Sequence, residues 1–278
     1  MTTAPPARDA GAMLRWWRER RHLTQLELSG LGEVSTRHLS YVETGRSKPS
    51  SRLILRLCEH LGVPLRRRNE ILLAAGFAPA YPEHRLLDPP LAAVNSALTA
   101  ILAAHEPLPA VAVDRHWEMI AATSAITVLT EGCAPELLEP PVNVLRLSLH
   151  PRGIAPRITN LGDWRAHLLH RLEAQVRAGG DPVLADLLTE LRELPGPQEA
   201  ADPVPEVLVP LRLRLGGTEL SLLSTTTVFG TPAEITVSEL AIEAFYPADA
   251  ATAAALGLNG NRFQPVSPPV SPPRNART

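Results

Sequence analysis

The chain has 278 residues, a net charge of −2, 45% hydrophobic residues and only 4% aromatic residues. Its length allows two ordinary domains, and its composition is typical of a mostly helical, water-soluble protein. No apolar run reaches the length of a membrane span and the first residues lack a signal-peptide core, so we predict a cytoplasmic protein without membrane contact. Two cysteines, Cys58 and Cys133, exclude a disulfide framework and a four-cysteine metal site.

Charge is distributed unevenly along the chain. Residues 1–78 contain 13 Lys or Arg against 7 Asp or Glu, a net charge of +6. The other 200 residues contain 14 Lys or Arg against 22 Asp or Glu, a net charge of −8. A basic first part joined to an acidic remainder indicates a polyanionic partner for the first part alone, although many small helical domains are mildly basic.

Five short helices are predicted in residues 10–78, after a disordered N-terminus at 1–9. Thr24 and Glu27 have the spacing of a capping box at the start of the second helix, and Ser35 can cap the third. The helices are expected at 10–21, 24–31, 35–44, 51–61 and 64–75. Short helices joined by tight turns predict a compact all-α domain.

The remaining chain mixes helices with hairpins. After a Pro-rich linker at 79–90, helices are predicted at 91–104, 123–130, 141–149, 163–178 and 182–194. Hairpins are predicted at 110–121, with a two-residue turn at Arg115 and His116, and at 207–230, with a turn at Gly216 and Gly217. A further strand is predicted within 234–247, and the Pro-rich tail at 259–278 is expected to be disordered. We expect the hairpins to meet in one sheet, which gives an α+β domain over residues 91–258.

The third helix has two unlike faces. On a helical wheel, Ser35, Leu39 and Val42 gather on one side. The other side carries hydrogen-bonding and planar groups: Thr36, Arg37, Ser40, Tyr41 and Thr44. Such a face suits the major groove of DNA, where base edges present donors, acceptors and thymine methyl groups. With the preceding helix, this segment predicts a helix-turn-helix whose recognition helix is the third helix.

Arg18 lies close to the apolar side of the first helix, where a cation needs a partner. Glu43, at the end of the recognition helix, is the candidate, and a bidentate pair would join the two helices. Wheel geometry alone leaves open the alternative that both side chains are solvated.

These residues carry a family resemblance. Arg18, Thr24-Gln25-x-Glu27-Leu28, Val34-Ser35, Leu39-Ser40 and Glu43-x-Gly45-Arg46-x-Lys48-Pro49-Ser50 together resemble the XRE-type, lambda-repressor-like helix-turn-helix regulators over residues 11–76. The resemblance implies an Arg18–Glu43 structural pair and base reading by the outer face of the third helix, with Thr36, Arg37 and Tyr41. It also implies phosphate contacts by Gln25 and by the backbone and cations of residues 44–48, including Arg46 and Lys48. Glu33 departs from the family, which usually has Gly in the turn. Because a left-handed conformation would strain Glu, the turn is expected to differ in detail.

The second part resembles another family. PAVAVDRHWEMIAA, NVLRLSLHP and the helix around Trp164 are similar to the MmyB-like ligand-binding domain, over about residues 90–250. That resemblance implies a PAS-like fold with a pocket for a small apolar, fatty-acid-like molecule. Where the family often has Asn after the second strand, this chain has Thr123 or Ser124, so the pocket chemistry is expected to differ.

Four residues are candidates for the ligand site. Trp117 and Trp164 stand out in a chain with few aromatic residues, although a core role is the simpler interpretation. Arg146 and His150 lie one helical turn apart and would suit a carboxylate head group, although residues so placed more often lie at a solvated helix edge.

Catalytic and metal sites are not predicted. His167, His170 and Glu173 have a spacing that superficially suits a metal, but on the wheel they oppose the apolar face of their helix and are expected to point to solvent. No nucleophile elbow, phosphate-binding loop or carboxylate pair is present.

The sequence therefore predicts a non-enzymatic, ligand-responsive transcription regulator that needs no cofactor. Its expected partners are double-stranded DNA, a small apolar ligand such as a fatty acid, and a second copy of the chain in a homodimer. The alternative is a non-catalytic interaction or dimerisation module with a degenerate helix-turn-helix.

Overall fold

A computed structural model describes residues 9–197 and 209–258. Its first part consists of α1 (Ala10–Arg20), α2 (Gln25–Leu31), α3 (Thr36–Glu43), α4 (Ser51–His60) and α5 (Leu65–Ala74). The five predicted helices are confirmed. The predicted disorder at residues 1–8 and 259–278, and the first two residues of the hairpin predicted at 207–230, lie outside the described residues.

Side-chain caps define where these helices begin. Thr24 and Glu27 form the reciprocal capping box of α2, with the Thr24 backbone N–H 2.7 Å from the Glu27 carboxylate. Ser35 accepts the backbone N–H of His38 and so caps α3. Asp9, which was predicted to be disordered, instead caps α1 by accepting the N–H of Gly11 at 3.0 Å. Each cap satisfies a backbone donor that the helix itself leaves unpaired.

The first part has its own apolar core. Fully buried side chains come from α1, α2, α3, α4 and α5, among them Leu14, Trp17, Leu28, Leu39, Ile54, Leu57 and Ile71. In α3, the buried Leu39 and Val42 lie on the side that the sequence predicts to be apolar.

The turn between α2 and α3 contains Glu33 at a φ of +51°, in the left-handed region. The turn therefore keeps the conformation that usually requires Gly, and a charged residue occupies it. The Glu33 carboxylate lies 2.7 Å from Arg56, but its side chain is 77% exposed, so the pair contributes little stability. A left-handed residue other than Gly or Asn is strained, typically by about 1–2 kcal/mol.

Residues 75–91 connect the two parts and are fastened at several points. Asn69 of α5 receives the N–H groups of Ala80 and Tyr81 and donates to the Tyr81 carbonyl at 2.7 Å. Further along, the Pro82 carbonyl accepts the N–H of Ile235 at 3.0 Å. The predicted linker is thus bound to both parts of the molecule.

The second part combines seven helices with five strands within the described residues. The helices are α6 (Ala92–His105), α7 (Ser124–Thr130), α8 (Val144–Leu149), α9 (Leu161–Gly179), α10 (Pro182–Glu193), α11 (Ile235–Ser238) and α12 (Ala250–Ala255). The strands are β1 (Ala110–Val113), β2 (Met119–Ala122), β3 (Leu211–Leu215), β4 (Thr218–Val228) and β5 (Ala241–Pro247). They form one antiparallel sheet in the order β2-β1-β5-β4-β3. The predicted fold class, a helical domain followed by an α+β domain, is confirmed.

Alternation along β1 assigns the two faces of the sheet. Val111 and Val113 join the large core formed with α8, α9 and α10. Ala110 and Ala112 face the other side, where Leu98 and Leu102 of α6 pack on the sheet. The helices therefore cover both faces, and the larger core lies between the sheet and α9.

Three local predictions were wrong. The first hairpin does not have a two-residue turn, because its strands close at Asp114 and Glu118, and Trp117 stands at a φ of +66° instead of in a strand. Helix α8 begins at Val144, capped by Asn143, and not at 141. The segment at 235–238 is helical, so the predicted strand begins only at Ala241. Helix α12, which follows this strand, was not predicted.

None of the helices in residues 9–197 and 209–258 is both long and apolar enough to cross a bilayer.

We expect Glu33→Gly to stabilise the chain by about 0.5–1 kcal/mol, because Gly adopts a positive φ without strain. Urea unfolding followed by circular dichroism measures the change. Glu33→Gln is the matched control, since it loses the ion pair with Arg56 and keeps the strained backbone. A Gly variant no more stable than the Gln variant would show that this turn stores no strain.

Candidate functional site

Helix α3 presents the face that the sequence predicted. Leu39, Val42 and Glu43 are buried. The opposite side is formed by the exposed Arg37 and Thr44 and the half-buried Thr36, Ser40 and Tyr41. A face of exposed donors, acceptors and a planar cation is chemically able to meet base edges.

Arg37 and Tyr41 form a planar pair on this face. The Arg37 Nε donates to the Tyr41 hydroxyl at 3.0 Å, and the guanidinium carbon lies 5.4 Å from the centre of the ring. Within residues 9–197 and 209–258, the Arg37 guanidinium makes no other hydrogen bond. Thr36 is more restrained, since its hydroxyl lies 2.9 Å from that of Ser29 in α2. Arg37 is therefore the outer-face side chain with the greatest reach.

The loop after α3 presents exposed cations, and four of its backbone N–H groups are already used within the domain. The N–H groups of Thr44, Gly45, Arg46 and Ser47 all donate to carbonyls of the last turns of α3. Gly45 makes this possible with a φ of +71°. The phosphate contacts expected from this backbone are thus unsupported at those four residues, whereas the side chains of Arg46 and Lys48 are exposed.

The structure places Arg18 against Glu43 in the interior. The Arg18 Nε lies 2.7 Å from one Glu43 oxygen and the terminal nitrogen 2.9 Å from the other, with the two side chains 10% and 0% exposed. Arg18 also donates to the Leu23 carbonyl at 2.8 Å. Such a planar, bidentate pair fixes both position and orientation, so it joins α1 to the end of α3.

Gln25 is a third member of this cluster. Its Nε2 donates to Glu43 at 2.8 Å, which brings the start of α2 into the same network. The phosphate contact expected for Gln25 would therefore involve an amide group that already donates one hydrogen bond to Glu43. The cluster connects α1, α2 and α3 through one carboxylate.

An apolar cavity of about 80 Å³ lies between the sheet and helices α7, α8 and α9. Its wall is mostly hydrophobic and includes Val111, Trp117, Met119, Ile126, Leu129, Val144, Leu145, Leu147, Ile154, Trp164, Leu168, Leu211 and Phe245. Four polar residues also reach it: Thr130, Ser148, Arg171 and Glu243. A concave apolar space with few polar groups is the general form of a small-molecule site.

The charged groups at this cavity neutralise each other. Arg171 of α9 binds Glu243 of β5 at 2.8 and 3.0 Å, and Thr226 of β4 contacts both side chains. Glu243 is only 4% exposed. The pair therefore closes the polar end of the cavity without leaving a free charge there.

Trp117 lies beside this pair and has an unusual backbone. Its φ of +66° is uncommon for a bulky residue. The ring is buried, its Nε1 donates to Gln175 at 2.8 Å, and the Arg171 guanidinium lies 4.9 Å from the ring centre. A strained residue held by several tertiary contacts often marks a functional position.

Trp164 lines the cavity from α9, where its Nε1 donates to the Ser148 hydroxyl at 3.0 Å. His167 stacks on it with ring centres 5.5 Å apart and is half-buried, so it does not simply point to solvent as predicted. Burial lowers the pKa of His167, with a further contribution from the charge of Arg171. Residues 9–197 and 209–258 contain no group of His, Cys, Asp and Glu able to hold a metal.

Arg146 and His150 do not line the cavity. Arg146 forms a bidentate pair with Glu190 of α10 at 2.5 and 2.7 Å, and its hydrogen bonds to Glu190 raise its pKa. The His150 Nδ1 accepts the N–H of Arg152 at 3.0 Å. Of the four ligand candidates, the structure brings Trp117 and Trp164 together and leaves these two elsewhere.

Arg171 and Glu243 are not among the residues predicted for the ligand site, although the sequence contains a signal for each. Arg171 lies seven residues after Trp164 and three after Leu168, so it falls on the buried stripe of its helix. Glu243 alternates with Ala241 and Phe245 on one face of a strand. A cation on an apolar helix face and an acid on an apolar strand face are natural partners.

We expect Arg18→Ala or Glu43→Ala to destabilise the chain by about 3–5 kcal/mol, because either change leaves a buried charge unmatched. Replacing both by Met and Leu is expected to be milder than the worse single change. Urea unfolding of the parent chain, of each Ala variant and of the double Ala variant forms a double-mutant cycle that measures the coupling. Strictly additive changes would mean that the pair contributes no interaction energy.

Comparisons with known proteins agree with this division of the chain. Residues 9–71 match the family described as a helix-turn-helix domain, and residues 94–258 match the MmyB-like transcription regulator ligand binding domain. None of the curated proteins matches. One solved structure, titled "Structure of an RNA-binding Light-Oxygen-Voltage Receptor", is 13% identical and covers 84% of this chain but only 57% of its own, with a TM-score of 0.26, too distant to bear on the fold. The chain belongs to the helix-turn-helix transcription regulators that carry an MmyB-like ligand-binding domain.

Proposed function

We propose that the chain is a sequence-specific DNA-binding transcription regulator of the XRE type whose second domain senses a small apolar molecule. The observation that carries the proposal is the presence of two separate sites in one chain. The outer face of α3 has polar and cationic side chains free of the core, and the second domain has an apolar cavity.

On the DNA side, α3 is the proposed recognition helix. Arg37 has the reach and the fork geometry for a guanine edge, with Thr36, Ser40 and Tyr41 beside it. Arg46 and Lys48, with Thr44, would contact phosphates at one end of the helix. The cluster of Arg18, Glu43 and Gln25 would hold α3 at a fixed angle, which supports reading in register.

On the sensor side, two features bear on the ligand. The cavity of about 80 Å³ is small beside the roughly 300–1,000 Å³ of pockets that hold drug-sized ligands. The charge of Arg171 is already neutralised by Glu243, so Arg171 is not free to bind the carboxylate of a ligand. A small uncharged apolar molecule suits this arrangement best, and a fatty acid would require the cavity to enlarge and the Arg171–Glu243 pair to rearrange.

Other parts of the proposal follow from the architecture. A single antiparallel sheet with helices on both faces supports the PAS-like description of the second domain. A helix-turn-helix reads one half-site per copy, which favours a homodimer, and sedimentation velocity distinguishes a dimer from the 30.0 kDa monomer. A cytoplasmic, non-enzymatic protein without a cofactor is consistent with a regulator of this kind.

The alternative is an interaction module that has lost DNA binding. The exposed Arg37, Arg46 and Lys48 speak against it, since such a module needs no cluster of exposed cations at this position. Binding to random duplex DNA separates the two. Affinity that falls as salt rises supports a DNA-binding domain, and an absence of binding at low salt supports the module.

Arg37→Ala is expected to weaken binding to a selected operator by about 1–3 kcal/mol and to relax the preference at one base pair. Arg46→Ala with Lys48→Ala is the matched comparison, expected to weaken all sequences alike and to lower the salt slope by about one unit per contact. Fluorescence anisotropy with operator and random duplexes measures both. Equal losses on the two duplexes for Arg37→Ala would make it a phosphate contact, and an unchanged slope for the double variant would remove the loop from the interface.

We expect 1-octanol to raise the melting temperature of the full chain, because a ligand that binds only the folded form adds RT ln(1 + [L]/Kd) to stability. Octanoic acid tests the effect of a carboxylate at the same chain length, and dodecanoic acid the effect of length. Tryptophan fluorescence should change over the same concentrations, since Trp117 and Trp164 both line the cavity.

Leu168→Phe, which adds bulk inside the cavity, should abolish both responses. Leu87→Phe adds the same ring at a side chain that is 83% exposed and should preserve them. If these compounds, longer fatty acids, sterols and aromatic acids all change neither observable, the proposed sensor role is wrong.

A further inference from the structure

The end of α1 contacts the end of α9 in the other domain. The Arg20 terminal nitrogen donates to the Val176 carbonyl at 2.6 Å, and its Nε donates to the carbonyl of Arg177. Arg21 reaches the Ala178 carbonyl at 3.5 Å while its Nε donates to Leu61 at the end of α4 at 2.8 Å. Two consecutive arginines thus join the helix-turn-helix domain to the last turn of α9.

The chemistry of this contact is specific. The last carbonyls of a helix mostly lack partners within it, and they form the negative end of its dipole. In α9 the Val176 carbonyl is shared, because it accepts the N–H of Gly180 at 2.9 Å as well as that of Arg20. Guanidinium groups satisfy these carbonyls and carry the opposite charge. Arg20 is also held in place by its own helix, with its guanidinium carbon 4.6 Å from the centre of the Trp16 ring. The contact therefore depends on the position and direction of α9.

A second contact between the domains lies at a cleft next to the apolar cavity. Arg66 of α5 forms a bidentate pair with Glu239 at 2.8 and 2.9 Å, two residues before β5 begins. A polar cleft of about 310 Å³ between the domains is lined by Arg66 and Glu239 and also by Trp117, Arg171 and Glu243. The last three residues line the apolar cavity as well. The cleft between the domains and the proposed ligand site therefore share these three residues.

Helix α9 spans the distance between the two sites. It is 19 residues long, or about 28 Å, and it carries Trp164, Leu168 and Arg171 at the cavity and Val176 and Ala178 at the contact. On the other side, Arg20 lies two residues after Arg18, which holds Glu43 of α3. A displacement of α9 would therefore reach the recognition helix through a single helix, α1.

We propose that Arg20 and Arg21 couple the two domains, so that the orientation of the helix-turn-helix domain follows the position of α9. The inference rests on the proposed function for the nature of the signal, which is occupancy of the cavity. The coupling itself is a property of the folded chain and can be measured without ligand or DNA.

The first experiment measures whether the arginines fix the orientation. Spin labels at Arg52→Cys and Thr189→Cys, both exposed positions, report the distance between the domains by double electron–electron resonance, and the native cysteines are buried. We expect one narrow distance distribution for the parent chain and a clearly broader one for Arg20→Ala with Arg21→Ala. Arg15→Ala is the matched control, because Arg15 is an exposed arginine of the same helix that pairs with Glu19 of that helix.

Because Arg21 also binds the end of α4, the single Arg20→Ala variant serves as a second test if the double variant fails to fold. Circular dichroism establishes that each variant is folded. A folded Arg20→Ala protein with the distribution of the parent chain would overturn the proposal.

The second experiment perturbs the cavity. Leu168→Phe should shift the mean distance in the parent and Arg15→Ala backgrounds and should not shift it in the Arg20→Ala background. No shift in the parent, or equal shifts in all three, would overturn the coupling. Failure of the proposed function would appear separately, as an absence of DNA binding or of any melting-temperature response to the compounds described above.

Discussion

The buried carboxylate of Glu43 is the constraint on which the DNA-binding domain depends. It is fully covered, so its charge must be compensated by Arg18 and by the amide of Gln25. Because these partners come from α1 and α2, satisfying one carboxylate sets the relative positions of three helices. Apolar packing alone would permit each helix to rotate slightly about its own axis, whereas a bidentate ion pair fixes the orientation of the two helices that it joins. The exposed face of α3 is therefore presented at a defined angle.

Local signals explain why much of this domain was predictable. Thr24 and Glu27 indicate the start of a helix within four residues, and the apolar stripes of the helices indicate which side of each one is buried. Arg18 predicts an ion pair, because a cation beside Leu14 and Trp17 is physically unfavourable unless it is paired. Glu33 was recognised as the residue in a turn that usually takes Gly, but whether the chain would change the turn or accept the strain depends on the energy of the whole domain.

The second domain was predicted less well because its polar groups find partners far along the chain. Arg146 was assigned to the ligand because Glu190, 44 residues later, has no signature that marks it as a partner. Arg171 and Glu243 are 72 residues apart, and the packing of α9 on the sheet brings them together. The positive φ of Trp117 and the short helix α11 have the same origin, since tertiary contacts override what an apolar, alternating segment favours locally.

The small residues on the far face of the sheet have a consequence for how the sensor can deform. Ala110, Ala112 and Ala244 allow α6 to lie close against the strands, and a tightly packed layer of this kind resists compression. The sheet is also continuous from β2 to β3, so its strands cannot separate without breaking backbone hydrogen bonds. We therefore expect the sheet to stay in place when the cavity enlarges. The helices on the opposite side of the cavity, α7, α8 and α9, would then move away from the sheet, in one direction.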